Sequence, residues 1–450
     1  MTHSHQKPTV FTDEEKRAFR ADIDAMRRPG AYEPGRWSVS PLNRDPAIVG
    51  AMPAKVALRD VTMRSLEALP GVVTTPEAKR SFLRALVASG VPEIVAAGVR
   101  GRPVEDVRRD VQEIRALNPK CRVTCPMLFT SADLEAAAEA GFDAVQVWVP
   151  PWGSASTMYE PHLFARTWAG EDWRGRGQPA DRDGYLERAV SLVARARDLG
   201  LAVTAPMLMV SFLDEERHSG TVKALAEAGA AEIALFDGPG AMAPEAMAEL
   251  VRRTRALAPG VRIGLHPHNT FGLAVAVAVA AARAGADAVE VSVNGYCGGP
   301  GNADLAATVA AFEALYGVST GIDPGTLTHL ARTAEAMTSY RRAYNHPVTG
   351  DQVYSWGGMD FMTQELGVDS LLHNCISPEW VGSEQRAPLT EMSGPFTAWD
   401  KLVELGFAPD HQGVDAFLAR VRDTMAERGR LLDDAELADV ARECGLTGSS

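Results

Sequence analysis

A (β/α)8 barrel followed by a smaller α-rich C-terminal region is the fold that this 450-residue sequence predicts. Three observations carry that expectation. One phrase recurs, an Ala-rich amphipathic stretch that ends in Gly and gives way within a few residues to a short β-branched run: RALVASGVPEIVAAG, AAAEAGFDAVQVWVP, VARARDLGLAVTAPMLM, ALAEAGAAEIALFD and VAAARAGADAVEVSVNG. Further apolar runs bring the strand candidates to eight over about 250 residues, the usual extent of such a barrel. No Gly-rich phosphate turn follows an early strand, as the alternative of a doubly wound open sheet requires.

Taken in order, the strand candidates begin with KVALRD near residue 55 and continue near 93, 122 (CRVTCPMLF), 144, 202, 232, 262 (VRIGLHPHN) and 288. Gly90, Gly141, Gly200, Gly229 and Gly285 each sit where a helix needs a left-handed residue to stop. The runs after them are apolar without alternation, the pattern of parallel strands buried on both faces. The barrel is expected over residues 51–320, after an N-terminal extension over 1–50. An aromatic, charged insertion at 150–184 follows strand four. Loops after strands lie on the catalytic face, so this segment is either a candidate lid or a lengthened connection. From Gly321 the strand pattern stops, and helical phrases such as DPGTLTHLARTAEAMTSYRRAY, FTAWDKLVELGF and VDAFLARVRDTMAERGR build an α-rich region over 321–450. No low-complexity linker isolates it, so it is expected to pack on a barrel or a neighbouring subunit.

The charge balance, 45 Lys plus Arg against 58 Asp plus Glu and a net charge of −13, offers no broad basic field to nucleic acid or an anionic membrane. A local cluster can still receive an anionic small molecule. The five cysteines (Cys121, Cys125, Cys297, Cys375, Cys444) are odd in number and scattered, which fits thiols in a reducing compartment. The N-terminus has no apolar signal region, and no stretch approaches the ~20 apolar residues that span a bilayer. A cytoplasmic location is expected by elimination.

The sharpest chemical signal is HPHN at the end of strand seven. Residues i and i+2 of a strand point to one side, so His266 and His268 can present two imidazoles to one ion. Asp60 ends strand one as a hard anionic ligand, and Asn302 follows strand eight with a neutral oxygen. Such a set suits a divalent ion, Mn, Mg, Zn or Co, without choosing among them. Arg59, at the barrel mouth, would stabilise an enolate or alkoxide oxygen. Strand neighbours face opposite ways, so Arg59 and Asp60 can share a site only if the chain bends there. Cys297, in NGYCGGPGN, is either an acid/base group or a small loop residue.

The LRD of strand one, HPHNTFGLAVAVAVAAARAGADAVEVSVNG and the GPGNADL after it resemble the DRE-TIM metallolyase (HMGL-like) superfamily. That group holds isopropylmalate, homocitrate and citramalate synthases, 3-hydroxy-3-methylglutaryl-CoA lyase, 4-hydroxy-2-oxovalerate aldolase and the biotin carboxyltransferases. GIDPGTLTHLARTAEAMT, NHPVTGDQVYS and LTEMSGPFTAWDKLVELGF are similar to the C-terminal subdomains of the 2-alkylmalate synthases, so the resemblance runs from about residue 55 to 443, without the regulatory domain of longer isopropylmalate synthases. It implies a metal on Asp60, His266 and His268 with Asn302 near it, and Arg59 on an enolate-like intermediate. It implies Ser292 and Asn294 as substrate-binding residues, a 2-oxo acid and an acyl-CoA as substrates, and a homodimer.

The departures from that pattern shape the expected reaction. RDVTMR replaces RDGxQ, strand five (TAPMLMVSF) lacks the catalytic Glu of the synthases, and GGMD puts Asp360 where they carry a His. Phe236 falls where carboxyltransferases carry a Lys. The leading expectation is a Claisen-type condensation of an acyl-CoA, acetyl-CoA first, with a 2-oxo acid, its base being Asp360, Tyr344, Tyr354 or His373. The alternatives are a lyase or aldolase moving protons with Cys297, Tyr296 or metal-bound water, and a catalytically silent scaffold.

Overall fold

The computed structural model describes residues 11–148, 182–356 and 359–448. The insertion at 150–184, read above as a candidate lid, lies almost wholly outside the described residues. The chain forms two compact units, one over Leu42–Ala343 and one joining Met1–Pro41 to Tyr344–Ser450.

The first unit is a closed barrel of eight parallel strands: β1 (Ala57–Asp60), β2 (Glu93–Val95), β3 (Arg122–Leu128), β4 (Ala144–Val147), β5 (Ala202–Leu208), β6 (Glu232–Asp237), β7 (Arg262–Pro267) and β8 (Ala288–Val291), with β8 closing on β1. All eight coincide with the runs expected from sequence. The five helix-terminating glycines are all left-handed, with φ between 78° and 108°. Helix starts are written in the side chains. Thr75 caps Pro76–Ala88 with its hydroxyl, and Thr130 with Asp133 forms a capping box on Ser131–Ala140. Leu327–Thr338, the first helix after the expected barrel end, packs on Pro76–Ala88 and so belongs to the barrel unit.

The barrel interior is polar, unlike the branched-apolar filling usual for this fold. Thr124, Gln146, Thr204, Glu232 and Glu290 are all fully buried in its strands. Register places Glu290 and Glu93 on either side of Arg59, and Arg262 beside Glu232. Gly264 makes room for this layer, since a Cβ there would stand 2.7 Å from the Glu232 carboxylate.

The second unit is α-rich. Helices Pro395–Glu404, His411–Arg428 and Asp434–Glu443 close over Trp399, Leu402, Phe417, Leu418, Val421 and Leu437. Its N-terminal helix, Asp13–Met26, joins the C-terminal region through Arg20, which donates to the Val368 carbonyl at 2.9 Å, and Arg27, 2.6 Å from Asp369. Among the described residues no helix is long and apolar enough to cross a membrane.

Candidate functional site

The C-terminal ends of the barrel strands enclose a cavity of about 380 Å3 lined by Arg64, Met127, Trp148, Phe236, His266, His268, Cys297 and neighbours. His266 comes from β7, and its ring stacks on Phe236 of β6, 4.3 Å away at 17°, because the two residues are register partners. His266 Nδ1 lies 2.7 Å from Glu290 Oε2, which fixes the ring so that Nε2 faces the cavity. Glu290 in turn accepts from Gln146 Nε2 at 2.8 Å. His268, two residues on, bridges through its backbone to Asn302 and brings its Nε2 to 3.2 Å from that of His266. Cys297 Sγ stands 3.9 Å from His268 Nε2. Among the described residues these three donors form the metal-competent cluster, all within 4.8 Å of one another.

Burial, the largest single influence, disfavours charge on both His266 and Cys297, but their interaction with each other and with the groups around them together outweighs it. The His266 imidazole is raised, with help from Glu290, and the Cys297 thiol is lowered to about 4, with help from His268 and the charge of Arg64. The pair therefore favours thiolate beside imidazolium when no ion is present. The donor set also fits a cation on chemical grounds. His268 Nδ1 and the deeply buried Asn302 Oδ1 have no hydrogen-bond partner. Met127 and Met209, which line the cavity, both hold left-handed backbone at φ 53° and 56°, local strain of the sort that gathers at functional sites.

The structure relocates several residues singled out in the sequence. Arg59 does not reach the cavity. Its guanidinium is fully buried, 2.7 Å from Glu93 and Glu232 and 3.3 Å from Glu290, one carboxylate removed from His266. β1 does not bend there, so Arg59 takes the inward-facing position of a strand residue. Among the described residues the cation lining the cavity is Arg64, with Nη2 3.5 Å from His266 Nε2 and its guanidinium over the Phe236 ring. Asp60 is fully buried and folded onto Thr62, accepting from its N–H at 3.0 Å and its hydroxyl at 2.7 Å. Burial nonetheless pushes Asp60 up to about 7. Ser292 is buried with its hydroxyl unpartnered. Asn294 and Tyr296 anchor the loop instead of lining the cavity: Asn294 donates to the Ala331 carbonyl and Tyr296 to that of Tyr340.

In the second unit, Asp360 is a structural cap. Its carboxylate accepts from the N–H groups of Gly394, Phe396 and Thr397 and from the Thr397 hydroxyl, serving the N-terminus of Pro395–Glu404, whose own cap residue is a glycine. Three of these four bonds fall on Oδ1 and one on Oδ2, so the carboxylate is committed chiefly to the helix end. Asp360→Ala should therefore lower the midpoint of thermal unfolding, at a cost of about 1–3 kcal/mol for the stranded donors. Unchanged melting with lost turnover would return Asp360 to the role of base. Tyr354 is buried, which pushes its hydroxyl further up and away from base duty, and Tyr344 is exposed. His373 pairs with Glu365 at 2.8 Å.

Sequence reasoning passed over Arg64 and Glu290. The signals were a second Arg in RDVTMR and a charge inside the apolar run AVEVSV, since a carboxylate in a buried strand needs a reason.

A family model described as HMGL-like matches residues 177–334. The sequence is 32% identical over 401 residues to a Methanopyrus kandleri protein provisionally assigned as an (R)-citramalate synthase, covering 87% of this chain and 73% of that one. The chain belongs to the HMGL-like, DRE-TIM family. It is also 27% identical over 405 residues to a homocitrate synthase of the same organism, covering 90% of this chain and 96% of that one. Among solved structures, the HMG-CoA lyase of Brucella melitensis shares the fold, with a TM-score of 0.50 and 22% identity over 63% of this chain and 100% of that one. The protein is thus an enzyme of this family, its sequence relatives being synthases, and DRE-TIM enzymes generally depend on a divalent metal.

Proposed function

We propose that this enzyme condenses an acyl-CoA with a 2-oxo acid at a divalent metal held by His266 and His268. The observation that carries the reading is the placement of Arg64 beside the His pair, 3.5 Å from His266 Nε2. A 2-oxo acid carries a carboxylate next to a carbonyl, and the cavity sets a guanidinium next to the imidazoles. The relatives with sequence likeness are alkylmalate-type synthases, which favours the synthase direction over cleavage.

Arg64 pairs with the substrate carboxylate and fixes which end of the oxo acid faces the His pair. Phe236, Trp148, Met127 and Leu208 wall the cavity and keep water from the reacting carbonyl. Glu290 holds His266 in one tautomer throughout. A divalent ion held by His266 and His268 would supply Lewis-acid polarisation of the keto group. The acyl-CoA α-carbon gives up a proton to a base and its C–H electron pair bonds to C2 of the oxo acid; the keto oxygen takes up a proton, and water then cleaves the thioester C–S bond to leave a carboxylic acid and CoA as free thiol.

The deciding measurement is thiol release from acetyl-CoA against a panel of 2-oxo acids, with a chelator control. Metal-dependent release with one acid is the expected result. Formation of an oxo acid from a larger hydroxy acid without CoA would reverse the direction. Arg64→Gln should raise the KM for the oxo acid about 100-fold, equal to about 2.7 kcal/mol, while leaving the KM for acyl-CoA within a few fold.

A further inference from the structure

The third donor in the cavity is a sulfur. His266 Nε2 and His268 Nε2 lie 3.2 Å apart, and Cys297 Sγ lies 3.9 Å from the latter, all three inside a 4.8 Å span. Around a tetrahedral ion with bonds of about 2.0–2.1 Å to nitrogen and 2.3 Å to sulfur, two nitrogens stand about 3.3 Å apart, and a nitrogen and a sulfur about 3.6 Å apart. The His266–His268 separation is thus within about 0.1 Å, and the His268–Cys297 separation within about 0.3 Å, of those values. The oxygen donors are placed less well. Both Asp60 oxygens accept hydrogen bonds from Thr62, and Asp60 is not part of the converging cluster. Asn302 offers only a neutral oxygen, with its amide nitrogen donating to Ser65 Oγ at 3.3 Å. The loop that carries Cys297 is pressed into place on both sides: a Cβ at Gly298 would stand 2.9 Å from the Ala68 carbonyl oxygen, and one at Gly301 would collide with that of Gly295.

We propose that the Cys297 thiolate is the third protein ligand, giving a His2Cys centre that selects zinc or cobalt over magnesium or manganese. The assignment rests on the reading of the His pair as metal-binding. Thiolate and imidazole together favour the softer ions, whereas magnesium and manganese prefer oxygen shells. Three protein ligands leave a position open for substrate, the pattern of catalytic zinc sites. Binding the ion displaces the proton that the His266–Cys297 pair holds, and that proton passes to solvent. With one thiolate and two neutral imidazoles, a divalent ion keeps one positive charge, which beside Arg64 suits an anionic substrate.

The test loads the chelator-stripped, full-length protein with cobalt(II) alone. The expected spectrum has visible ligand-field bands and a strong near-ultraviolet sulfur-to-cobalt charge-transfer band. Cys297→Ser should lose the near-ultraviolet band and keep the visible ones. After equal exposure to zinc and manganese, elemental analysis should find the native preference for zinc reduced about tenfold or more in that variant. X-ray absorption of the native zinc protein needs no variant and should show one sulfur at about 2.3 Å. Bound metal with an all-nitrogen-and-oxygen shell would overturn the Cys297 assignment and leave the His pair standing. No bound cobalt or zinc would overturn both.

Discussion

His268→Ala will lose its metal and its turnover together, with the fold intact. The His268 ring is only partly buried and its Nδ1 has no partner, so its removal takes away only the Nε2 contacts to His266, which keeps Glu290, and to Cys297. His266 is the poorer probe, because its ring stacks on Phe236 and satisfies Glu290. Losing one protein ligand of three or four should weaken the metal by 100-fold or more, equal to about 2.7 kcal/mol. Elemental analysis after dialysis, thiol release and a thermal melt read the three quantities separately. Glu290→Gln keeps the ligands but loses the charge behind His266, and should weaken the metal about 10- to 100-fold. Full turnover of His268→Ala in chelator would sink the metal-assisted mechanism.

The barrel was legible because its signals are local. Each helix stop is a single glycine, and each strand is a run buried on both faces, so neither needs knowledge of distant partners. The His pair was legible for the same reason, through the two-residue period of a strand. Arg59 was not. Its partner Glu290 is 231 residues away and meets it only when β8 closes on β1. The place of Arg59 beside Asp60 at the end of strand one points to the barrel mouth, whereas the cavity receives Arg64 from the helical turn Thr62–Ser65 that follows β1. Asp360 carries no mark of its work either, since the helix end it serves begins 34 residues downstream. Cys297 could be read two ways until the loop folded its sulfur against the imidazoles. Contacts set by closure of the sheet, or by one helix capping another, have no signature in the neighbouring sequence.

The largest effect on stability is expected from Arg59→Met. The guanidinium is the shared counter-charge of three carboxylates in a layer sealed from water. Without it Glu93 retains Arg262 at 2.8 Å, but Glu232 has only Arg262 at 3.5 Å. Breaking a buried ion cluster by removing one partner costs about 3–5 kcal/mol, a large part of the about 5–15 kcal/mol that holds a domain together. Urea unfolding at pH 7 should show that loss, or the variant should fail to accumulate as folded protein. Glu93 supplies the pH signature. Burial would raise its carboxyl, but Arg59, Arg262 and Arg122 hold it down at about 2, against 4.5 for an ordinary Glu. Over that window the native state binds fewer protons than the unfolded one. The stabilisation is therefore complete above pH 4.5 and is lost as the pH falls through 2, amounting to about 3 kcal/mol. With Arg59 gone the Glu93 carboxyl moves up, so acidification from pH 4.5 should cost the variant less than the native protein. A variant with native urea and acid profiles that loses only kcat would instead place Arg59 on the reacting substrate.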